Sequence, residues 1–80
     1  MKIALKLARV GMNMQEATIA QWFKRPGEGF AEGEPLYAME TDKVTQDVTA
    51  AHRGTLVEIL VQAGESVAVG GPVCIVDIAL

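Results

Sequence analysis

The sequence predicts an all-β fold: a small sandwich or flattened barrel of two antiparallel sheets, its halves related by a pseudo-twofold repeat. Three observations carry this prediction. Short runs alternate apolar and polar residues with a period of two, as in Ile3, Leu5 and Leu7 against Lys2, Ala4 and Lys6. Glycine and proline punctuate the chain, and no stretch joins a helix cap to apolar residues at i, i+3, i+4 and i+7. The chain also repeats itself. An offset of 37 residues sets Thr18 on Thr55, Gly27-Glu28 on Gly64-Glu65, Ala31 on Ala68, Gly33 on Gly70 and Pro35 on Pro72. Apolar positions follow, Ile19 with Leu56, Trp22 with Ile59, Phe23 with Leu60 and Leu36 with Val73. Such a period marks two copies of one supersecondary unit. The missing crossover helices exclude parallel βαβ units.

Taken in order, the first strand holds Ile3, Leu5 and Leu7 on one face. The segment Ala8 to Gln15 breaks the alternation, and Gly11 marks it as a loop. Met12 and Met14 on that loop either fold back onto the core or form an adaptable contact surface, since methionine packs irregularly. Thr18 to Lys24 reads as a second strand, rich in β-branched and aromatic residues, with Trp22 its bulkiest member. Arg25-Pro-Gly-Glu-Gly29 and Ala31-Glu-Gly-Glu-Pro35 supply two turns in quick succession. A hairpin follows. Leu36, Ala38 and Glu40 alternate with Tyr37 and Met39; Val44, Gln46 and Val48 alternate with Thr45, Asp47 and Thr49. Between the runs, Asp42-Lys43 stands at the bend, where an aspartate side chain can hydrogen-bond nearby amides. Ala50-Ala-His-Arg-Gly54 leads into the second half, which closes with Val76-Asp-Ile-Ala-Leu80. A twofold-related sandwich puts the lysine hairpin at one end and both chain ends near the other.

Composition narrows the function. Eighty residues make one domain, 1–80, and half of them are apolar, enough for a core. A net charge of −3 excludes a basic nucleic-acid binder. The single cysteine, Cys74, excludes an internal disulfide framework and reads as a small buried hydrophobe. No apolar run approaches the roughly 20 residues that span a membrane, and the N-terminus alternates like a strand rather than a signal peptide. A soluble intracellular domain is expected. His52, the only histidine, has no second ligand at metal-binding spacing and reads as a solvated connector residue. No metal site and no catalytic residue are expected. In isolation, a turn lysine such as Lys43 is an ordinary solvated side chain.

The landmarks together say more. Leu5-Lys-Leu-Ala-Arg-Val-Gly11, Met14-Gln-Glu-Ala-Thr-Ile19, Trp22, Gly27-Glu28, Gly33-Glu34-Pro-Leu36, Glu40-Thr-Asp-Lys43, Gly54, Gly64 and Gly70 cover essentially the whole chain. At this spacing they resemble the lipoyl domains of 2-oxo acid dehydrogenase complexes, part of the wider biotinyl/lipoyl attachment group. The resemblance implies that Lys43 carries lipoic acid in amide linkage, with Glu40, Thr41, Asp42 and Val44 as the attachment motif. It implies a non-catalytic carrier, part of a dihydrolipoamide acyltransferase subunit. Its partners would be a lipoate ligase or lipoyl transferase, a thiamine-dependent 2-oxo acid (or acetoin) dehydrogenase, an acyltransferase core and dihydrolipoamide dehydrogenase, with no nucleic acid and no membrane. The implied location is the bacterial cytoplasm, or the mitochondrial matrix of a eukaryote. The resemblance also implies that Gly11, Met12, Asn13 and Met14 fall in the loop that, in that family, helps partner enzymes choose their domain. The chain departs from the family at Ala8, Ala17 and Ala51-His-Arg53, where proline, glycine and proline respectively are common, and these changes bear on partner identity.

The implied chemistry asks little of the protein. An amide removes the lysine charge and adds a long arm whose dithiolane is opened by reductive acylation, gives up the acyl group and is reoxidised; the hard chemistry is the cofactor's. Tethering raises the arm's local concentration at successive active sites. Glu40, Asp42 and Asp47 surround the lysine; they either keep the hairpin soluble or help a partner orient the tip. The alternatives are a biotin carrier domain of a carboxylase and an unmodified structural sandwich module. Biotin domains typically set the lysine between two methionines, whereas Lys43 lies between Asp42 and Val44. A glycine-cleavage carrier typically has extra helical segments for which this chain has no room.

Overall fold

A computed structural model describes residues 1–9 and 14–79 of the chain. Among them, eight strands follow one another: β1 (Lys2–Lys6), β2 (Glu16–Trp22), β3 (Gly29–Phe30), β4 (Pro35–Glu40), β5 (Thr45–Thr49), β6 (Gly54–Ile59), β7 (Ser66–Ala68) and β8 (Pro72–Ile78). They form two four-stranded sheets, ordered β1-β8-β6-β3 and β5-β4-β2-β7. Every pairing is antiparallel. Of the two forms the sequence allows, the sandwich is realised and the closed barrel is not. β1 pairs only with β8 and β5 only with β4, so both remain sheet edges. A shallow cleft lined by Lys6, Ala8, Tyr37, Met39, Gln46 and Val48 opens between them.

The repeat is written into the hydrogen bonds. Phe23 N–H donates to the Leu36 carbonyl, and its counterpart Leu60 N–H donates to Val73, both at 2.9 Å. Ile19 N–H donates to Glu65 and Leu56 N–H to Glu28, again both at 2.9 Å. The Gly-Glu pairs have a local reason as well. The carboxylates of Glu28, Glu34 and Glu65 accept the N–H of Arg25, Ala31 and Gln62, each three residues earlier, at 2.7, 2.6 and 2.8 Å. Each Glu thus closes its own turn, while the glycine before it supplies the positive φ that the turn requires. The repeat also relates β1 to β5. Lys2↔Asp77 in one hairpin-like pair matches Thr45↔Glu40 in the other. Lys2 and Asp77 therefore occupy the place in the second half that Thr45 and Glu40, the last pair before the turn, hold in the first.

Matched positions share their burial. Ile19 and Leu56 are fully buried, as are Leu36 with Val73, Tyr37 with Cys74 and Met39 with Val76. Each such side chain removed from water contributes on the order of 1.5–3 kcal/mol. The expected alternation along Leu36–Glu40 is not seen: Leu36, Tyr37, Ala38 and Met39 are all buried. A β-bulge between Pro35 and Tyr37 lets the consecutive Leu36 and Tyr37 both join the core. Ala38 is small enough to be covered by its neighbours.

One strand boundary needs correction. The second strand begins and ends two residues earlier than Thr18–Lys24, because Phe23 and Lys24 already bend toward the Pro26 turn. Trp22 and Ile59 correspond at the ends of β2 and β6, as the repeat predicts, but both are only half-buried and pack on the rim of the core. Strand ends leave one side of a large side chain to solvent. The Trp22 ring lies against Tyr37 at a centroid distance of 4.9 Å, and its indole N–H donates to the Val61 carbonyl at 2.9 Å.

Candidate functional site

The β4–β5 hairpin is anchored at its base and free at its tip. At the base, Gly33 N–H donates to the Ala50 carbonyl and Ala50 N–H to the Glu34 carbonyl, at 2.8 and 2.9 Å. Along β4, Tyr37 and Met39 are sunk in the core. The pairing runs out to Glu40↔Thr45, and Thr41 to Val44 make the turn beyond it. Asp42, Lys43 and Val44 are exposed, Val44 by 51 %. Met1 and Ala79 lie beyond the hairpin's base: Ile78 N–H donates to the Met1 carbonyl, and Ala79 N–H donates to that of Arg53, four residues past the end of β5.

The turn is closed by the side chain of Thr41 rather than that of Asp42, which corrects the expectation. Thr41 N–H donates to the Val44 carbonyl at 2.8 Å, the last rung of the ladder. The Thr41 hydroxyl oxygen accepts the N–H of Val44 at 3.2 Å and of Lys43 at 3.3 Å. Its own proton points to the Val44 carbonyl at 3.3 Å. Thr41 belongs to the predicted attachment motif, but this role went unseen. The signal was present: a hydroxyl residue opening a turn can cap its amides as an aspartate does.

Lys43 takes part in no ion pair among the described residues; the pairs formed there are Met1–Asp77 and Lys24–Glu34. Glu40, Asp42 and Asp47 are exposed, and none holds its amine; Asp47 lies opposite Ala38, back along β5 from the tip. The lysine thus stands exposed on a turn that its own backbone and Thr41 hold in place.

The other singled-out residues divide plainly. Gly11, Met12 and Asn13 lie outside the described residues. Met14 is buried in the core, the first of its two open alternatives. His52 is exposed in the connector after β5. Cys74 is fully buried, and burial pushes its thiol up to about 11, so it has no nucleophilic character near neutrality. Among the described residues no group of histidine, cysteine, aspartate or glutamate could hold a metal ion.

The biotin/lipoyl family, described as "Biotin-requiring enzyme", matches residues 3–76. The chain belongs to the biotinyl/lipoyl attachment family. This biotinyl/lipoyl domain is 42 % identical over 66 residues to the dihydrolipoyllysine-residue succinyltransferase component of the 2-oxoglutarate dehydrogenase complex of Bacillus subtilis. That match covers 82 % of the domain and 16 % of the relative, so the chain spans about one sixth of the curated relatives' length. Among solved structures, it is similar to the lipoyl domain of the 2-oxoglutarate dehydrogenase complex of Azotobacter vinelandii. The TM-score is 0.78 and the identity 31 %, over 94 % of this chain and 95 % of that one. A single-chain, multi-domain long-chain acyl-CoA carboxylase matches at a TM-score of 0.81 and 20 % identity, over 99 % of this chain and 7 % of that one. That second likeness shows the fold alone.

Proposed function

We propose that this domain carries lipoic acid in amide linkage on Lys43 and serves as the swinging-arm carrier of a 2-oxo acid or acetoin dehydrogenase complex. The observation that carries the reading is the place of Lys43. It is exposed at the tip of a hairpin whose base and strands are locked into the core, and among the described residues no carboxylate pairs with it. The flanking Asp42 and Val44 favour lipoate over biotin, as does a 31 % identity that runs the length of a lipoyl domain.

The residues present fit the group. Asp42, Lys43 and Val44 are exposed at the tip, so a long arm on Lys43 leaves the turn into solvent. When bound, lipoic acid supplies a dithiolane that takes up an acyl group with reduction, yields it to an acceptor and is reoxidised. The protein positions and presents the arm, and the chemistry of each transfer belongs to the partner's active site. A lipoate ligase or lipoyl transferase attaches the group. A thiamine-dependent dehydrogenase, an acyltransferase core and dihydrolipoamide dehydrogenase are then visited in turn, helped by the tether's effective concentration. The acyltransferase subunit is the natural parent of such a domain.

The test is parallel incubation of the unmodified domain with a lipoate ligase and with a biotin ligase, each with ATP and its acid. Lipoyl addition that disappears in Lys43→Arg supports the reading; biotinyl addition alone overturns it in favour of a carboxylase carrier.

A further inference from the structure

The geometry points to Thr41 as the positioning residue of the attachment site, its hydroxyl holding the tip backbone in the conformation that offers Lys43 to the modifying enzyme. This inference rests on the lipoate reading above. The hairpin joins its strands through two residues, Asp42 and Lys43, beyond the rung at Thr41 and Val44. Two-residue hairpin loops that match the twist of their strands need positive φ at one or both central residues, and glycine or asparagine supplies it. Neither is present here. No non-glycine residue among those described has positive φ, so Asp42 and Lys43 both adopt ordinary negative values. The turn is therefore not of the type that closes a tight hairpin unaided.

The Thr41 hydroxyl makes up the difference. In a simple β-turn the last N–H donates to the carbonyl of the first residue. Here the Val44 N–H instead reaches the hydroxyl of that first residue, at 3.2 Å, and the same oxygen takes the Lys43 N–H at 3.3 Å. A hydroxyl has two acceptor lone pairs and one proton, and all three are used. The proton goes to the Val44 carbonyl, which also receives the Thr41 N–H. One side chain thereby fixes the backbone on both sides of Lys43. The side chains of Asp42, Lys43 and Val44 are spared that task and face solvent.

Removing the hydroxyl leaves these exposed amides to water, so the sandwich itself survives. What changes is the share of time the tip spends in the presented form. When a partner binds one conformer only, its apparent dissociation constant rises in inverse proportion to that conformer's population. A merely structural threonine would instead act through overall stability.

The experiment is steady-state lipoylation of the unmodified domain by a lipoate ligase with ATP and lipoic acid, comparing the natural chain with Thr41→Val and Thr41→Ser. Valine keeps the shape and removes the hydroxyl; serine keeps the hydroxyl and removes the methyl. Thr41→Val is expected to raise KM for the domain by about 5- to 20-fold, with kcat within about twofold. Thr41→Ser is expected to stay within about twofold on both. Unchanged kinetics in Thr41→Val, or equal impairment in Thr41→Ser, overturns the inference. Amide exchange supplies a second readout on the natural chain: Val44 N–H is expected to exchange more slowly than in an unstructured peptide, and an unprotected Val44 overturns the inference even if the valine variant fails to fold. Failure of the natural chain to accept lipoate is a different result. It overturns the lipoate reading and with it this one.

Discussion

Gly27 and Gly64 are bound crosswise to each other's half of the domain. Gly27 N–H donates to the Leu56 carbonyl and Gly64 N–H to the Ile19 carbonyl, both at 2.7 Å, and the two glycines have φ of +95° and +93°. Subtracting 37 from Leu56 gives Ile19, so this is one interaction made twice across the pseudo-twofold axis.

The symmetry predicts paired energetics. A Cβ at either glycine meets nothing within 4 Å, so alanine there is opposed by backbone conformation alone. Gly27→Ala and Gly64→Ala should each destabilise by about 1–2 kcal/mol and should agree within about 0.5 kcal/mol. Gly54→Ala should exceed both, because its Cβ would fall on the carbonyl oxygen of Asp77. Urea denaturation of the three variants checks the ranking; a large gap between the first two would contradict the repeat.

Core and tip should separate cleanly. Leu56 is fully buried, and Leu56→Ala is expected to lose about 2–5 kcal/mol. Val44→Ala, at the exposed tip, should stay within about 0.5 kcal/mol. Ile59→Ala should fall between them, since Ile59 is half-buried at the core's rim. Denaturant midpoints at constant m-value give the comparison, and a Val44 loss as large as that of Leu56 would mean the tip is packed.

Two buried acids make the core sensitive to alkali. Burial, and then the neighbouring Cys74, push the Tyr37 hydroxyl from its ordinary 10.0 up to about 12. Burial pushes the Cys74 thiol from 9.0 up to about 11. Both acids hold their protons more tightly when folded. Their contribution to stability is therefore complete below pH 9 and is lost as pH climbs from about 9 to 12. The chain has one tyrosine and one cysteine, so tyrosinate and thiolate absorbance report each group separately. The predicted tyrosinate midpoint is about 12 in the folded protein; a midpoint near 10 would place Tyr37 in solvent.

Much of this fold could be read from the residues, for identifiable reasons. The 37-residue repeat survives in the sequence because its glycines need positive φ and its glutamates cap their own turns, so the residue types are tied to backbone geometry. β3 and β7 were illegible as strands. Two and three residues between glycine turns are too few to show a period of two, and only their pairing to β6 and β2 defines them. The half-exposure of Trp22 was hidden too, since size and apolarity speak for burial while position at a strand end decides against it. At the tip, the sequence showed that a turn exists and which residues make it. Thr41 and Asp42 can both cap amides, and only the backbone path shows which oxygen lies within reach.

The tip also makes a prediction about position against charge. Exchanging its two central residues (Asp42→Lys with Lys43→Asp) conserves composition and net charge but moves the amine one position along the turn. That exchange is expected to abolish lipoylation, because a one-residue shift in a strand hairpin turns a side chain to another face. Asp42→Asn keeps the amine in place and should only slow modification, by an amount that shrinks as salt is raised. Ligase assays on both variants, checked as folded, decide between geometry and charge; normal modification of the exchanged domain would contradict the geometric account.

The most direct test of the whole account is the intact mass of this domain as its own host makes it, followed by peptide mapping. The account predicts a single lipoyl group, located on Lys43 and on none of Lys2, Lys6 or Lys24. A biotinyl group, an unmodified chain in a host that lipoylates its other carriers, or a lipoyl group on any other lysine would contradict it.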